Sequence, residues 1–251
     1  MKRLGVIGGL GPAASAYFYE LVIRMTQAET DQEHLDMILF SRPSIPDRTD
    51  YILGKSRENP AGPMVEAGKQ LAGLNVDYIA IPCITAHYFY EELEKEIRVP
   101  IVHAVRETAW YCRNHGILRA GLLATDGTIQ SNLFQKELEN CGIQTILPDS
   151  EHQGMVMDLI YKDVKAGQPV EWDKFRSVSE QLRREGAEVM ILGCSELSLL
   201  KRDCEIGPGC LDTMEVLAMR SIQLCGAKLK RSMRQGLSGC RRILMSDRDP
   251  L

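Results

Sequence analysis

Two short apolar runs in different halves of the chain end in the same way, and this repetition constrains the fold more than any other feature. The first run occupies residues 77–82 and ends at Cys83, and the second occupies residues 188–193 and ends at Cys194. Neither run has helical periodicity, and small hydroxyl residues and a helix-like segment follow each cysteine. Buried parallel strands have this pattern, because helices cover both faces of their sheet. Ligands bind at the carboxyl edge of such sheets, so both cysteines are expected at a binding edge.

Strand-like and helix-like segments alternate along the chain, which is typical of parallel sheets covered by helices. The first strand is expected at residues 4–7, and a glycine turn followed by Pro12 then opens a helix. The pattern restarts at residues 120–125, and each restart precedes its cysteine by a similar interval. We therefore predict an α/β fold with two pseudo-symmetric, doubly wound parallel-sheet domains and an active site in the cleft between them.

The predicted division of the chain has three parts. Residues 1–100 and about 206–227 form the first domain, residues 101–205 the second, and residues 228–251 a basic tail. We also expect a helix over 86–96 and a short strand opened by Pro100. The tail lacks acidic residues until Asp247, and its glycines and serines favour a flexible, solvated end. A nucleic-acid or lipid contact is the alternative, but the acidic remainder of the chain gives it little support.

The composition is ordinary for a globular protein and argues against several functions. The chain has 251 residues, of which 44% are apolar and 25% charged, and its formal net charge is −4. No nucleic-acid or membrane partner is therefore expected, and no apolar run approaches the ~20 residues of a spanning helix. Glycines interrupt the apolar stretch after the N-terminus, so an export signal is not expected. Eight cysteines without a C-x-x-C pair and five scattered histidines predict reduced thiols, a cytoplasmic location and no bound metal.

Cys83 and Cys194 are the candidate catalytic residues. A free thiol has a pKa of about 8.5, and a helix N-terminus lowers it by favouring the anion. Because each cysteine precedes a predicted helix, both are placed to become thiolates. Two thiols on opposite sides of a cleft could remove a proton from one face of a carbon and add one to the other. The alternative for either cysteine alone is a small buried apolar residue. Six further cysteines are interpreted as structural or incidental: Cys112, Cys141, Cys204, Cys210, Cys225 and Cys240.

Two loops supply candidate substrate contacts. Arg48 follows a predicted strand end and could grip a carboxylate with two hydrogen bonds, although a surface ion pair with Asp47 or Asp50 is the alternative. Thr125 and Thr128 follow the first strand of the second half. Their hydroxyls and the backbone N–H groups of the turn could cradle a carboxylate, or Thr125 could simply cap a helix.

Three further residues admit two interpretations each. Lys165 lies near a helix end that Gly167 could terminate, and pairing with the helix dipole is the favoured interpretation. His87 could polarise the Cys83 site or pack within its own helix. Glu196 could orient a substrate ammonium group or favour the start of its helix.

The glycine turn at residues 8–11 does not match G-x-G-x-x-G, and Pro12 interrupts that motif. A nicotinamide cofactor is therefore not expected, and the sequence also lacks a Walker-type lysine motif.

Residues 3–225 resemble the aspartate/glutamate racemase family of cofactor-independent amino-acid racemases. The resemblance rests on motifs that are specific only in combination: the glycine turn with Pro12, Pro46-Asp47-Arg48-Thr49, Pro82-Cys83 with Thr85-Ala86-His87, Ala124-Thr125 with Gly127-Thr128, and Leu192-Gly193-Cys194 with Glu196. It implies two domains related by a pseudo-twofold axis, an active site between them and often a dimer. No pyridoxal phosphate or metal is implied.

The resemblance also implies roles for individual residues. Cys83 and Cys194 would be the two acid/base groups, with His87 and Glu196 in supporting positions. Arg48 and, less closely matched, Lys165 would hold the side-chain carboxylate of an acidic amino acid. The remaining implied substrate contacts are Gly9, Thr85, Thr125, Thr128 and Ser195.

One departure affects the expected substrate. The family usually has asparagine after the first cysteine, whereas this chain has Ile84, which can neither donate nor accept a hydrogen bond. Loss of a hydrogen bond to a charged group costs about 1.5–3 kcal/mol. Activity could therefore be weakened, or the substrate could be another small carboxylic acid. The alternatives are a related cysteine-dependent isomerase or decarboxylase, and a non-catalytic protein that binds small acids.

Overall fold

A computed structural model gives the structure of the protein and describes residues 1–204, 206 and 209–231. Helices and parallel strands alternate along the chain. The strands are β1 (Leu4–Gly8), β2 (Met37–Ser41), β3 (Tyr78–Ala80), β4 (Arg119–Leu123), β5 (Gln144–Ile146), β6 (Val189–Leu192) and β7 (Cys210–Asp212). The α-helices are α1 (Pro12–Met25), α2 (Arg48–Ile52), α3 (Ala61–Gly73), α4 (Tyr90–Glu96), α5 (Ala104–Asn114), α6 (Asp126–Gln130), α7 (Leu133–Asn140), α8 (Ser150–Asp158), α9 (Trp172–Arg184), α10 (Ser195–Asp203) and α11 (Thr213–Leu224). Short 3-10 helices span Asp31–Glu33 and Ile84–Phe89, and a π-helix spans Leu159–Val164.

The strands form two parallel sheets that repeat one topology. The first sheet has the order β2-β1-β3, and a parallel bridge from Ile79 to Ile101 extends it beyond β3. The second sheet has the order β5-β4-β6-β7, so β4, β5 and β6 correspond to β1, β2 and β3. The predicted fold class, two doubly wound α/β halves, is confirmed.

The sequence explains why these strands form where they do. Every residue of β1 and of β6 is buried, so both strands are continuous apolar runs rather than alternating ones. Gly11 has a φ of 145° and Pro12 follows at the first helical position, so the chain turns sharply from β1 into α1. Phe18 and Leu21 then lie on the buried face of α1, against the first sheet.

The two halves share a core because the last helix of each half, α5 or α11, packs on helices of the other half. Helix α5 follows the bridge strand of the first half but packs on α7 of the second, and α11 follows β7 but packs on α1 of the first. Helices α5 and α11 also pack on each other. A single apolar cluster therefore contains Leu4 of β1 and Leu122 of β4.

The structure differs from the predicted elements in three places within residues 1–227. Residues 210–212 of the predicted first domain pair with β6 in the second sheet, although α11 does pack on the first half. At Pro100 there is only the single bridge of Ile101, and the expected helix over 86–96 is a 3-10 helix followed by α4. Such short segments carry too few residues for a pattern to show which sheet they join.

The predicted tail begins differently as well. The backbone N–H of Gln27 donates to the carbonyl of Lys228, that of Lys230 donates to Met25, and Leu229 is buried. The flexible end expected from residue 228 therefore does not begin there, and residues 232–251 lie outside the described part of the chain.

Candidate functional site

Cys83 and Cys194 line the same small cavity between the two halves. Each follows the third strand of its half, β3 or β6, so the repeated topology delivers both thiols to one place. The space open to the centre of a water molecule is about 10 Å³, close to the minimum that one water needs. An amino acid can therefore enter only when part of the lining moves. The lining residues are Leu10, Asp47, Arg48, Thr49, Cys83, Ile84, Thr85, Thr125, Tyr161, Lys165, Cys194, Ser195 and Glu196.

Cys194 is a buried thiol held against a carboxylate. It is the N-cap residue of α10, and its Sγ donates a hydrogen bond to Glu196 Oε2 at 2.9 Å. The hydroxyl of Ser195 donates to the same oxygen at 3.1 Å. Burial, followed by the charge of Glu196, raises the pKa of Cys194 well above its usual value. The predicted thiolate at this helix N-terminus is therefore wrong, because desolvation and the carboxylate outweigh the helix dipole.

Cys83 has a different neighbour. It precedes a 3-10 helix rather than an α-helix, and it lies beside the guanidinium of Arg48. Burial disfavours the charge on Arg48, but Cys83 and then Asp47 outweigh this effect and raise the pKa of Arg48. Arg48 Nη2 donates to the carbonyl of Leu10 at 2.6 Å, and Nη1 donates to that of Pro46 at 3.0 Å. With 7% of its surface exposed, Arg48 is a buried site residue and not a surface ion pair.

Lys165 brings a second positive charge to the cavity. It follows the π-helix as its C-cap, and its Nζ lies 3.5 Å from Asp47 Oδ2 and 4.0 Å from the ring centre of Tyr161. Burial disfavours the ammonium, but Glu196, followed by Tyr161 and Cys194, outweighs this effect and raises the pKa of Lys165. The helix-end position expected from sequence is correct, and the ammonium group also faces the cavity.

Hydroxyl groups from both halves meet at the cavity wall. The Oγ1 atoms of Thr85, Thr125 and Thr128 lie 3.0–3.2 Å from one another. Thr49 donates to Thr125 at 3.3 Å, and Thr125 also caps α6 by accepting from the N–H of Thr128 at 3.3 Å. Thr125 therefore caps a helix, as one interpretation predicted, and it also lines the cavity, with Thr128 behind it.

Three predicted site residues lie outside the cavity lining, namely Thr128, Gly9 and His87. Gly9 has a φ of 86°, and a Cβ there would overlap the backbone of Arg42, so its role is in the turn after β1. His87 is fully buried, and its Nε2 bonds to the carbonyl of Ile81 at 3.2 Å. Burial and the neighbouring His103 lower the pKa of His87 to about 3, so its ring is neutral. The packing interpretation of His87 agrees with this position.

Three lining residues were not singled out from the sequence. Tyr161 lies four residues before Lys165, and this helical spacing could have placed the two on one face. Thr49 belongs to the motif that contains Arg48, and its hydroxyl group could have identified it as a candidate site residue. Leu10 contributes a backbone carbonyl to Arg48, which no side-chain pattern can reveal.

Neither a metal cluster nor a membrane span is found in the described part of the chain. Among residues 1–204, 206 and 209–231, no three histidine, cysteine, aspartate or glutamate side chains are grouped as metal ligands. Within the same ranges, no helix has the length and apolar character needed to cross a membrane.

Comparison with known proteins gives matches through both halves of the chain. The model of the Asp/Glu/hydantoin racemase family matches residues 7–220. The broad specificity amino-acid racemase RacX of Bacillus subtilis (strain 168) is 27% identical over 226 residues, which cover 87% of this chain and 96% of that protein. The structure of Picrophilus torridus aspartate racemase is similar with a TM-score of 0.79 and 28% identity, covering 95% of this chain and 100% of the other. An aspartate racemase homologue from Pyrococcus horikoshii OT3 shares the fold with a TM-score of 0.72 and 24% identity, covering 90% and 99% of the two chains.

Proposed function

Because the chain belongs to the Asp/Glu/hydantoin racemase family and is thus an amino-acid racemase, an isomerase, we propose that it racemises aspartate or glutamate with Cys83 and Cys194 as its two acid/base groups. The family resemblance inferred from the motifs is confirmed by the match over residues 7–220. The observation that carries the proposal is the shared cavity, in which both cysteines meet two cations and a group of hydroxyls.

The reaction needs one thiolate and one thiol. The thiolate removes the α-proton and becomes a thiol, and the opposite thiol gives its proton to the other face of the carbon and becomes a thiolate. The two sulfurs therefore exchange protonation states, and the reverse reaction uses them in opposite roles. No cofactor is required by this scheme, because the two cysteines supply both base and acid.

Charge stabilisation is the harder part of the reaction. An amino-acid α-proton is far less acidic than a thiol, so the negative charge that develops on the substrate carboxylate needs hydrogen-bond donors already in place. Thr85, Thr125 and Ser195 line the cavity and are the proposed donors, with Thr128 behind them. Donors held by a cap and by mutual hydrogen bonds need little reorganisation during the reaction.

The side-chain carboxylate of an acidic substrate would be bound by the two cations. Lys165 carries three N–H donors, and its ion-pair contact with Asp47 is long at 3.5 Å. Arg48 uses several of its donors on backbone carbonyls, so it contributes mainly positive charge. Glu196 is the proposed acceptor for the substrate ammonium group.

Ile84 favours a second candidate. Its side chain is buried in the cavity wall, where the resemblance leads us to expect a polar amide. A related cysteine-dependent isomerase or decarboxylase acting on another small carboxylic acid would need no amide there.

The experiment is a proton-exchange screen by NMR in D₂O over both enantiomers of the common amino acids. We expect the protein to exchange the α-hydrogen of aspartate or glutamate for deuterium and to interconvert the enantiomers. Exchange confined to other acids would favour the second candidate. Binding without exchange for every compound would contradict the proposed reaction.

Two further expectations remain proposals. We propose that the protein is a homodimer, as the resemblance implies, and light scattering on the purified protein measures this directly. We also propose a cytoplasmic location with reduced cysteines, and Cys83 and Cys194 are free thiols in the structure. Fractionation of the producing cells with thiol labelling checks both parts of that expectation.

A further inference from the structure

One short segment of the chain, residues 82–86, carries three consecutive lining residues of the cavity, Cys83, Ile84 and Thr85. The segment leaves the first sheet after β3 and enters the 3-10 helix Ile84–Phe89. The proposed reaction uses Cys83 as an acid/base group and Thr85 as a hydrogen-bond donor. Whatever holds this segment in place therefore affects two parts of the reaction at once.

The side chain of His87 joins the two ends of the segment. Its Nε2 lies 3.2 Å from the carbonyl oxygen of Ile81, six residues earlier in the chain. A carbonyl oxygen can only accept, so Nε2 carries the hydrogen and donates it. Within the loop that this bond closes, the backbone N–H of Ala86 donates to the carbonyl of Cys83 at 3.2 Å. The loop is therefore held by one bond between its ends and one bond inside it.

The other nitrogen of the His87 ring argues against a role in stability alone. The side chain is 2% exposed, and its Nδ1 is buried without a hydrogen-bond partner among the described residues. The neighbouring His103, with its ring centre 5.2 Å away, instead accepts the N–H of Arg106 and caps α5. An unpaired buried polar atom costs free energy, and an aliphatic side chain would avoid that cost. What a histidine adds at this position is the bond to Ile81.

We infer that His87 is a positioning residue of the racemase, because its bond to the Ile81 carbonyl fixes the loop that presents Cys83 and Thr85 to the substrate. This inference rests on the proposed two-thiol reaction and adds a residue that does not itself line the cavity. A displacement of about 1 Å in a reacting group can lower the rate of the chemical step about a hundredfold. The loop needs that precision, since Cys83 must reach the α-carbon while Thr85 supports the developing charge.

The cations proposed to bind the substrate lie on other elements. Arg48 is the first residue of α2, and Lys165 follows the π-helix. Loss of the bond between His87 and Ile81 leaves both cations on their own elements. The inference therefore predicts an effect on kcat and little effect on KM, whereas general damage to the cavity would change both.

The first test measures racemisation kinetics of aspartate and glutamate in three variants. In His87→Leu we expect kcat to fall about tenfold to a hundredfold while KM stays close to the wild-type value. His87→Gln, whose amide N–H₂ can donate to the same carbonyl, should recover most of kcat. Thr26→Val is the matched control, because it removes another buried hydrogen bond from a side chain to a carbonyl, from Thr26 Oγ1 to Val22 at 2.7 Å, at the end of α1 opposite the glycine turn. A wild-type kcat in His87→Leu, a loss that His87→Gln shares in full, or an equal loss in Thr26→Val would overturn the inference.

The second test uses amide hydrogen exchange followed by mass spectrometry, and it does not depend on racemase activity. In His87→Leu the peptide that covers residues 82–89 should exchange faster than in the wild type, whereas in Thr26→Val it should exchange at the wild-type rate. Unchanged exchange of this peptide in His87→Leu would overturn the inference even where racemisation is observed. A wild-type protein that racemises no amino acid would overturn the proposed function instead, and the exchange rates would still decide whether His87 holds the loop.

Discussion

Ile84 illustrates how a single side chain affects what the cavity can bind. It follows Cys83 directly, is 1% exposed and lies in the cavity wall among hydroxyl and charged groups. An aliphatic side chain there leaves any polar atom of a substrate that faces it without a partner. Because an unpaired buried polar group is costly, this position discriminates among substrates more strongly than an exposed one would.

Replacement of Ile84 by asparagine should raise kcat/KM for aspartate or glutamate by about one to two orders of magnitude, the worth of one hydrogen bond to a charged group. The measurement is the rate of α-deuteration, with Ile84→Val as the control because it changes the size of the side chain but adds no polar atom. Equal or lower activity of the asparagine variant on every acidic amino acid would contradict this role.

The sequence was sufficient to predict some residues of the site and insufficient for others. The strand-end pattern identified Cys83 and Cys194, and the motif resemblance identified Arg48 and Lys165, all of which line one cavity. The ionisation of Cys194 was predicted wrongly, because it depends on burial and on the orientation of Glu196. The burial of Cys194 and the orientation of Glu196 depend on tertiary packing, which a sequence pattern does not specify.

At the scale of secondary-structure elements, the turn between β1 and α1 is the most constrained connection near the site. Gly9 has a φ of 86°, and its N–H donates to Ser15 at 2.9 Å. The next residue, Leu10, gives its carbonyl to Arg48. The shape of this turn therefore fixes the position of a cavity cation.

Gly9→Ala should destabilise the protein by about 1–3 kcal/mol or more, because the residue has a left-handed backbone and its Cβ would overlap the backbone of Arg42. Urea denaturation measures the free energy of unfolding. Gly54→Ala is the matched control for backbone strain without overlap, and Gly62→Ala in α3 should be neutral or stabilising. If Gly9→Ala and Gly54→Ala lower the free energy of unfolding equally, the predicted effect of the close approach of Gly9 to the Arg42 backbone is contradicted.

Asp212 links α10 to α11 at the other side of the site. It caps α11, and its Oδ1 accepts from Ser198 of α10 at 2.6 Å and from the N–H of Met214 at 2.8 Å. Burial and then Glu215 raise the pKa of Asp212 to about 6, although Lys201 acts in the opposite direction. The native state therefore binds the proton of Asp212 more tightly than the unfolded chain does.

This difference predicts a pH dependence of stability. The Asp212 contribution to stability is fully present below about pH 4 and is lost as pH rises through the native pKa of about 6. Asp212→Asn keeps an oxygen acceptor but cannot ionise, so its stability relative to the wild type should increase from pH 4 to pH 7. Urea denaturation across this range is the measurement, with Asp50→Asn, at an exposed position, as the control. A relative stability of the variant that falls with rising pH would contradict the assignment.

Element positions were easier to predict than element types. A helix end near Lys165 was expected, but the preceding turn is a π-helix, and the N–H of Lys165 bonds to the carbonyl of Ile160 five residues earlier. The wider turn affects where Tyr161 and Lys165 lie in the cavity wall. No residue type marks such a turn in the sequence, and this one packs against α10.

At the scale of the whole molecule, the exchange of α5 and α11 couples the two halves. Each of these helices follows one sheet and packs on helices of the other half, so residues of both halves share one apolar cluster. The repeat of two related α/β halves was predicted from sequence. The exchange was not, because helix patterns show which face is buried but not which partner covers it.

This shared core predicts cooperative unfolding. Differential scanning calorimetry of the purified protein should show one transition whose calorimetric and van't Hoff enthalpies agree. Two separate transitions would mean that the halves are independent and that the exchanged helices contribute little to stability.

The central claim is that two thiols from the two halves act on opposite faces of one carbon. The most direct measurement follows both racemisation and α-deuteration of aspartate and glutamate in D₂O by the wild type, Cys83→Ser, Cys194→Ser and the control Cys141→Ser. We expect racemisation by the wild type and the control, and loss of at least about three orders of magnitude in each cavity variant, within the range that general acid–base groups contribute. Wild-type racemisation rates in either Cys83→Ser or Cys194→Ser would contradict the two-thiol account.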